Sequence, residues 1–187
     1  MMSITFALFL LAVKPFQANP APKQLIDNNR VSVWEGAAAK GDPGYDRVGI
    51  DLTRPGDVVF VPKGATPSLS THAILVQLKN ISVPPLPNTT KYPNAFPRPR
   101  VKKVLENSRV LVWDYTWTAG QPAPMHFHDK DVVVVYLADG ELKSTTPDGQ
   151  SVVNPISMGL TRYNTRDRTH TEEVVKGSAR AIIVELK

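Results

Sequence analysis

The sequence predicts an all-β protein built from two β-rich repeats, the second of which is complete. Asp27–Trp34 shares five of eight residues with Glu106–Trp113, 79 positions later, and Ala73–Lys79 shares five of seven with Ala181–Lys187, 108 positions later. The 17 Pro and 11 Gly suit many short strands joined by turns. No long stretch has apolar residues at helical spacing. Two such repeats predict two packed sheet units, as in a sandwich or a barrel.

Alternating and β-branched residues place strands in both halves. The predicted strands cover residues 31–34, 48–52, 57–61, 73–78, 110–117, 132–137, 141–145, 161–164 and 179–185. Because the two repeat offsets differ by 29 positions, the first half lacks a segment that the second half has. We therefore divide the chain into a degenerate half (25–80), a Pro-rich connector (81–103) and a complete unit (104–187).

The N-terminal segment carries a ten-residue apolar run, Ile4–Val13, which has the length of the apolar region of a signal peptide. No Lys or Arg precedes the run, and Pro20 disturbs the cleavage pattern. Despite these two departures, the length of the apolar run makes residues 1–20 a candidate signal peptide, which predicts a periplasmic or secreted protein. The alternative is a buried N-terminal strand in a cytoplasmic protein. No later segment is long and apolar enough to be transmembrane.

The charge pattern favours no polyanionic partner. The net charge is +5, and the densest basic stretch consists of Arg98, Arg100, Lys102 and Lys103. No aromatic residues alternate with these charges to stack on bases, and no recognition helix is visible. We interpret the stretch as a solvated basic linker and predict neither nucleic-acid binding nor membrane insertion. The absence of Cys excludes disulfides and Cys-ligated metals.

Three of the four His lie in the second half. His126 and His128 are two positions apart, which on a strand places both imidazoles on one face. His170, from a strand near the end of the same half, would complete a site with three nitrogen donors and open positions for water or substrate. Neutral imidazole suits one divalent ion of Zn, Fe, Ni, Cu or Mn, and the pattern does not distinguish them.

The spacing around these His resembles that of the cupins. Their first motif, G-x5-H-x-H-x3,4-E-x6-G, fits Gly120, His126, His128, Val133 and Gly140 in spacing. Their second motif, G-x5-P-x-G-x2-H-x3-N, fits the spacing of Gly159, Thr165, Asp167, His170 and Val174. The resemblance implies a jelly-roll β-barrel with a metal held by the three His. The Glu ligand of the family is replaced by Val133, which cannot bind a metal.

The first half provides an internal comparison. Gly56–Pro67 aligns without gaps with Gly159–His170, and Pro67 stands where the second half has His170. We therefore interpret the chain as similar to a bicupin with a degenerate first half, which is expected to bind no metal and to be structural.

Loss of the Glu leaves a more electropositive site with an extra open position. The thiol dioxygenases, which are cupin-like, use iron on three His without a carboxylate, so the resemblance makes such a site credible. Asp129 or Asp131 remains an alternative fourth ligand. Asp131 and Tyr163 are the candidate catalytic residues, and Arg166 and Arg168 are candidates for binding a carboxylate or phosphate of a substrate.

Three functions remain open at this point. The first is a mononuclear metalloenzyme, dioxygenase- or isomerase-like, that acts on a small and perhaps anionic molecule. The second is a non-catalytic module that binds a small ligand. The third is a structural protein with a vestigial site. For the first two functions the expected partner is a small molecule, and a homo-oligomer is possible in every case.

Overall fold

The computed structural model describes residues 21–36 and 41–187. This part of the chain forms 14 strands in three antiparallel sheets and contains no helix, as the sequence predicts. It accordingly has no helix that could span a membrane. The candidate signal peptide, residues 1–20, lies outside the described residues, and export stays a prediction.

The first half forms a single five-stranded sheet with the order β1-β2-β5-β3-β4, which we call the first-half sheet. Its strands are β1 (Lys23–Asp27), β2 (Val31–Glu35), β3 (Asp46–Asp51), β4 (Val58–Val61) and β5 (Ala73–Leu78). β5 lies in the middle of this sheet and is buried along its whole length.

The second half forms two sheets that face each other. The larger one, which we call the central sheet, has the order β12-β9-β14-β7-β6, and the smaller one has the order β11-β10-β13-β8. Their strands are β6 (Val101–Glu106), β7 (Val110–Trp117), β8 (His126–His128), β9 (Val132–Tyr136), β10 (Gly140–Thr145), β11 (Ser151–Ile156), β12 (Thr161–Asn164), β13 (Arg168–Gly177) and β14 (Ala179–Leu186).

The inner strands β9 and β14 of the central sheet are buried on both faces and are therefore almost continuously apolar. On β9, Val133 and Val135 pack against the first-half sheet, whereas Val132 and Val134 face the small sheet. The alternation follows from the strand pleat, which turns successive side chains to opposite faces. Two cores result. One lies between the halves, and the other fills the barrel of the second half.

The motif alignment in the sequence analysis is wrong by one residue at Val133. This side chain is fully buried in the core between the halves and does not face the barrel interior. A run of four Val, Val132–Val135, shows no apolar–polar alternation, so the sequence does not reveal which face each residue takes.

The Pro-rich connector is not simply a solvated linker. Ala95 donates a backbone hydrogen bond to Phe127, and Phe127 donates one to Pro93, so this segment runs beside β8. Phe96 is buried in the barrel core, and the side chain of Arg98 is only 7% exposed. The prediction of a solvated basic stretch is therefore wrong for Arg98.

Candidate metal centre

Two neighbouring strands of the small sheet carry the three His. β8 pairs with β13 so that His126 lies opposite His170, and His128 follows two residues later on the same face of β8. All three side chains are buried. The structure thus brings together the three residues that the sequence predicts as ligands.

The three imidazoles converge through their Nε2 atoms. Nε2 of His128 lies 3.2 Å from Nε2 of His126 and 3.1 Å from Nε2 of His170. Donors that are each about 2.0–2.2 Å from one cation stand about 3–3.5 Å apart. The geometry therefore fits one mononuclear metal ion, and among the described residues this is the one cluster of His, Asp or Glu side chains that could hold a metal ion.

The outer ring nitrogens orient two of the imidazoles. Nδ1 of His126 lies 2.7 Å from the carbonyl oxygen of Pro124 and therefore donates its proton there. Nδ1 of His170 lies 3.2 Å from the hydroxyl oxygen of Ser144. The carbonyl of Pro124 can only accept, so Nε2 of His126 carries no proton. The hydroxyl of Ser144 can accept or donate, so this contact orients the ring of His170 and is compatible with a proton-free Nε2. Nδ1 of His128 is buried without a hydrogen-bond partner in the described part of the chain.

The surroundings keep the imidazoles neutral. Burial, and then the positive charge of Arg98, lowers the pKa of His126 to about 3. Burial and the charge of Arg168 lower the pKa of His128 well below its usual value. The pKa of His170 is also lowered by burial, although Glu172 opposes the shift. At neutral pH the three imidazoles are therefore uncharged, and each one protonated on Nδ1 offers its Nε2 lone pair to a cation.

A narrow chamber opens beside the His. Its volume is about 30 Å³, enough for a water molecule or two. Its walls come from the central sheet, the small sheet and the connector, and they combine apolar, aromatic and charged side chains: Arg98, Trp117, His128, Val132, Val134, Tyr136, Asn164, Arg168, His170, Glu172 and Ile183.

Arg98 is the residue of this chamber that the sequence analysis missed most clearly. Its guanidinium carbon lies 4.1 Å from the ring centre of Tyr115 and 4.8 Å from that of Phe96. Nη1 lies 3.1 Å from Nδ1 and 2.9 Å from Nε2 of His126. An atom so nearly equidistant from both nitrogens lies over the ring face, so the Nε2 lone pair in the ring plane stays free.

Glu172 is the acidic side chain of the chamber and was also missed. Its Oε2 accepts a hydrogen bond of 3.1 Å from Nε1 of Trp117 and lies 3.8 Å from Nη2 of Arg98. Burial alone would raise the pKa of Glu172, but the neighbouring His170, the charge of Arg98 and the hydrogen bond from Trp117 outweigh burial, so the pKa lies below its usual range. Its position two residues after His170 on one strand is the sequence signal that could have found it.

The two candidate catalytic residues lie on the other side of the central sheet. Asp131 forms an ion pair of 2.7 Å with Arg30 and accepts the backbone N–H of Arg166. Tyr163 packs against the core between the halves. Neither side chain lines the chamber, so neither is placed to act on a ligand bound there, and the prediction that they are catalytic is wrong for this site.

The two candidate substrate-binding residues and the candidate fourth ligand also differ in whether they reach the chamber. Arg168 lines the chamber, and its role in binding a substrate stays a prediction. Arg166 instead donates a hydrogen bond from Nη1 to the carbonyl oxygen of Pro84. Asp129 pairs with Lys130 at 2.7 Å and does not belong to the three-His cluster, so it is not a fourth ligand in this arrangement.

No family model and no curated protein matches this chain. Among solved structures, a cupin domain from Bordetella pertussis is 25% identical with a TM-score of 0.44, over 52% of this chain and 98% of that chain. A cupin 2 conserved barrel protein from Leptotrichia buccalis is 12% identical with a TM-score of 0.49, over 89% and 88%. The polyketide cyclase RemF from Streptomyces resistomycificus is 16% identical with a TM-score of 0.39, over 52% and 70%.

The fold of the second half is identified from the protein's own sheets and His residues. Two facing antiparallel sheets enclose three His that occur at the spacing of the two cupin motifs, and these His converge inside the barrel. The second half of the chain has the cupin fold. The protein differs from the cupin motif pattern in one respect that matters for chemistry, because β9 presents Val132 and Val134 to the chamber and no carboxylate.

Proposed function

We propose that this cupin is a mononuclear metalloenzyme that acts on a small anionic molecule inside the barrel of its second half. The observation that carries the proposal is the convergence of three buried Nε2 atoms, 3.1 and 3.2 Å apart, from His126, His128 and His170. Neutral imidazoles protonated on Nδ1 and packed this closely direct their Nε2 lone pairs at one another, an arrangement that a shared cation would stabilise.

The three imidazoles would hold the ion, and the donor set suits Fe, Zn, Mn, Ni or Cu. A metal bound there supplies Lewis-acid chemistry or, if it is iron, oxygen chemistry of the dioxygenase kind. The remaining residues exclude water and orient the ligand. Phe96 and Trp113 stack with ring centres 5.3 Å apart within the core of the barrel.

The charges of the chamber support an anionic ligand. Arg98 and Arg168 both line it, against the single carboxylate of Glu172. Burial lowers the pKa of each of these two guanidinium groups, yet an arginine stays charged at neutral pH. A divalent ion would add to this positive charge, so an anion that binds the metal also meets guanidinium donors in a site of low dielectric constant.

A second candidate function is supported by the size of the chamber. About 30 Å³ admits a ligand no larger than a few atoms unless Arg98 moves. Such a chamber also suits a non-catalytic module that holds a metal or a very small ligand. Turnover of small carboxylates by the metal-loaded protein separates this candidate from the enzyme.

Metal content tests the proposal directly. We expect the wild-type protein, purified without added metal, to bind about one equivalent of a divalent ion when titrated with Co²⁺ or Zn²⁺. His128→Ala should lose most of this binding, because it removes one of three donors. His72→Ala is the matched control, since His72 is exposed in the first half and should not change the stoichiometry.

Anion binding tests the ligand class. In the Co²⁺-loaded protein, formate or azide should change the visible spectrum, and Arg168→Gln should weaken this binding about tenfold while metal content is unchanged. Arg54→Gln is the control, because this side chain is 66% exposed in the first half. Equal anion affinity in all three proteins would contradict the proposed role of the chamber arginines.

A further inference from the structure

The chamber contains a carboxylate that none of the motif positions supplies. Glu172 follows His170 by two residues on β13, so both side chains project from the same face of the strand. Oε1 of Glu172 lies 3.9 Å from Nε2 of His170, and the side chain is 17% exposed. Glu172 is the acidic residue among those that line the chamber in the described part of the chain.

The two oxygens of Glu172 have different surroundings. Oε2 accepts the hydrogen bond from Trp117 and faces Arg98. Oε1, which faces His170, accepts no hydrogen bond from any residue in the described ranges 21–36 and 41–187. The first oxygen therefore fixes the side chain, and the second lies beside His170 without a hydrogen-bond donor in the described part of the chain.

We infer that Glu172 replaces the lost motif carboxylate, supplying from β13 the negative charge that β9 does not provide. The inference rests on the proposed metal site. Oε1 stabilises the bound cation through its charge and accepts a hydrogen bond from water or an acidic ligand at the open position. Oε1 lies 3.9 Å from Nε2 of His170, farther than the 3.1 Å that separates Nε2 of His128 from the same atom. We therefore place Glu172 next to the ion and in contact with its bound water or ligand, and we do not count it as a direct ligand.

The inference makes Arg98 an opposing partner. Its guanidinium stands within 3.8 Å of Glu172 and over the ring of His126, and it repels a cation that Glu172 attracts. Removal of the carboxylate should therefore weaken metal binding, and removal of the guanidinium should strengthen it. A purely structural ion pair would predict loss of stability in both variants and no opposite effects on metal affinity.

The test compares neighbouring glutamates. Glu172→Gln keeps the size of the side chain and an oxygen that can accept from Trp117, whereas Glu173→Gln changes a side chain on the opposite face that pairs with Lys143 at 2.9 Å. Competition with a chromophoric chelator measures the dissociation constant for Zn²⁺ and Co²⁺. We expect a loss of affinity of about tenfold or more in Glu172→Gln, the range seen for groups next to metal ligands, and no change in Glu173→Gln.

Further variants make the outcome unambiguous. Arg98→Gln should bind the metal more tightly than wild type, and the double variant Arg98→Gln/Glu172→Gln, which leaves no unpaired charge, should fall between the single variants. If Glu172→Gln does not fold, the double variant compared with Arg98→Gln gives the same difference. Equal metal affinity with and without Glu172 would overturn the inference alone. Absence of metal uptake by wild type would overturn the proposed function and the inference together.

Discussion

The first-half sheet has the strand order β1-β2-β5-β3-β4, and the central sheet has the order β6-β7-β14-β9-β12. The two orders are the same when the five strands of each sheet are counted along the chain, since β6, β7, β9, β12 and β14 then correspond to β1, β2, β3, β4 and β5. The small sheet, β11-β10-β13-β8, has no counterpart in the described part of the first half. A single sheet can bury one face against a neighbour, but it cannot enclose a chamber. The shared sheet therefore forms the body of the molecule, and the strands found only in the second half form the site.

The two halves also make reciprocal contacts. Arg30 of the first half pairs with Asp131 of the second at 2.7 Å, and Arg109, 79 positions after Arg30, pairs with Asp46 of the first half at 3.3 Å. The two ion pairs differ in burial. The side chains of the first are 4% and 9% exposed, and those of the second are 28% and 21% exposed.

The largest expected effect concerns the two faces of β9. Val133→Glu should destabilise the protein by about 4 kcal/mol or more, because it buries an unpaired carboxylate between the halves. The affinity for Co²⁺ should not change in protein that still folds. Val132→Glu, which faces the chamber, should cost less stability and tighten metal binding. Denaturant unfolding and metal titration of both variants check this, and tighter binding in Val133→Glu would show that the face assignment is wrong.

The reciprocal ion pairs should differ in strength. Arg30→Gln should cost about 3 kcal/mol of unfolding free energy, because it leaves Asp131 buried without its charged partner. Arg109→Gln should cost about 1 kcal/mol, because its pair is partly exposed to solvent. Urea unfolding of both variants measures the difference. Similar losses in the two would mean that burial does not distinguish the two contacts.

The His cluster should make stability depend on pH in a way that the first half does not. The pKa of His126 is about 3 in the folded protein, against about 6.5 for an unperturbed histidine, so the unfolded state binds more protons than the folded state below about pH 6.5. Stability should therefore fall as the pH decreases, by about 2 kcal/mol from this residue between pH 7 and pH 5. Unfolding of chelator-treated wild type and His126→Gln at both pH values measures the contribution. The same pH dependence in both proteins would contradict the low pKa.

The smallest expected effect tests the repeat itself. Oδ1 of Asn28 accepts backbone hydrogen bonds of 2.8 and 2.9 Å from Arg30 and Val31. Oδ1 of Asn107 accepts the equivalent two backbone hydrogen bonds, of 2.8 and 3.0 Å, from Arg109 and Val110. Asn28→Ala and Asn107→Ala should each cost about 1 kcal/mol. Thermal unfolding of the two variants checks the equivalence, and an effect confined to one turn would weaken it.

Much of this architecture is readable from the sequence, and what is not has physical causes. The apolar–polar pattern and the turn residues predict the all-β fold, and the i, i+2 spacing of His126 and His128 predicts a shared face. The pattern does not assign faces on β9, because both of its faces are buried. Arg98 lies in a Pro-rich segment without strand periodicity, so only tertiary packing shows that it enters the barrel. Glu172 has a sequence signal, because it lies two residues after His170 on the same face of β13. It does not stand at the glutamate position of either motif, so the motif alignment does not identify it.

X-ray absorption spectroscopy of the protein loaded with one equivalent of Zn²⁺ or Co²⁺ tests the central claim most directly. The account predicts three imidazole nitrogens about 2.0–2.2 Å from the ion in wild type, because three Nε2 atoms already converge on one point. His170→Ala should reduce the number of imidazoles to two. A spectrum of wild type that shows fewer than three imidazole ligands, or one that His170→Ala leaves unchanged, would contradict the account.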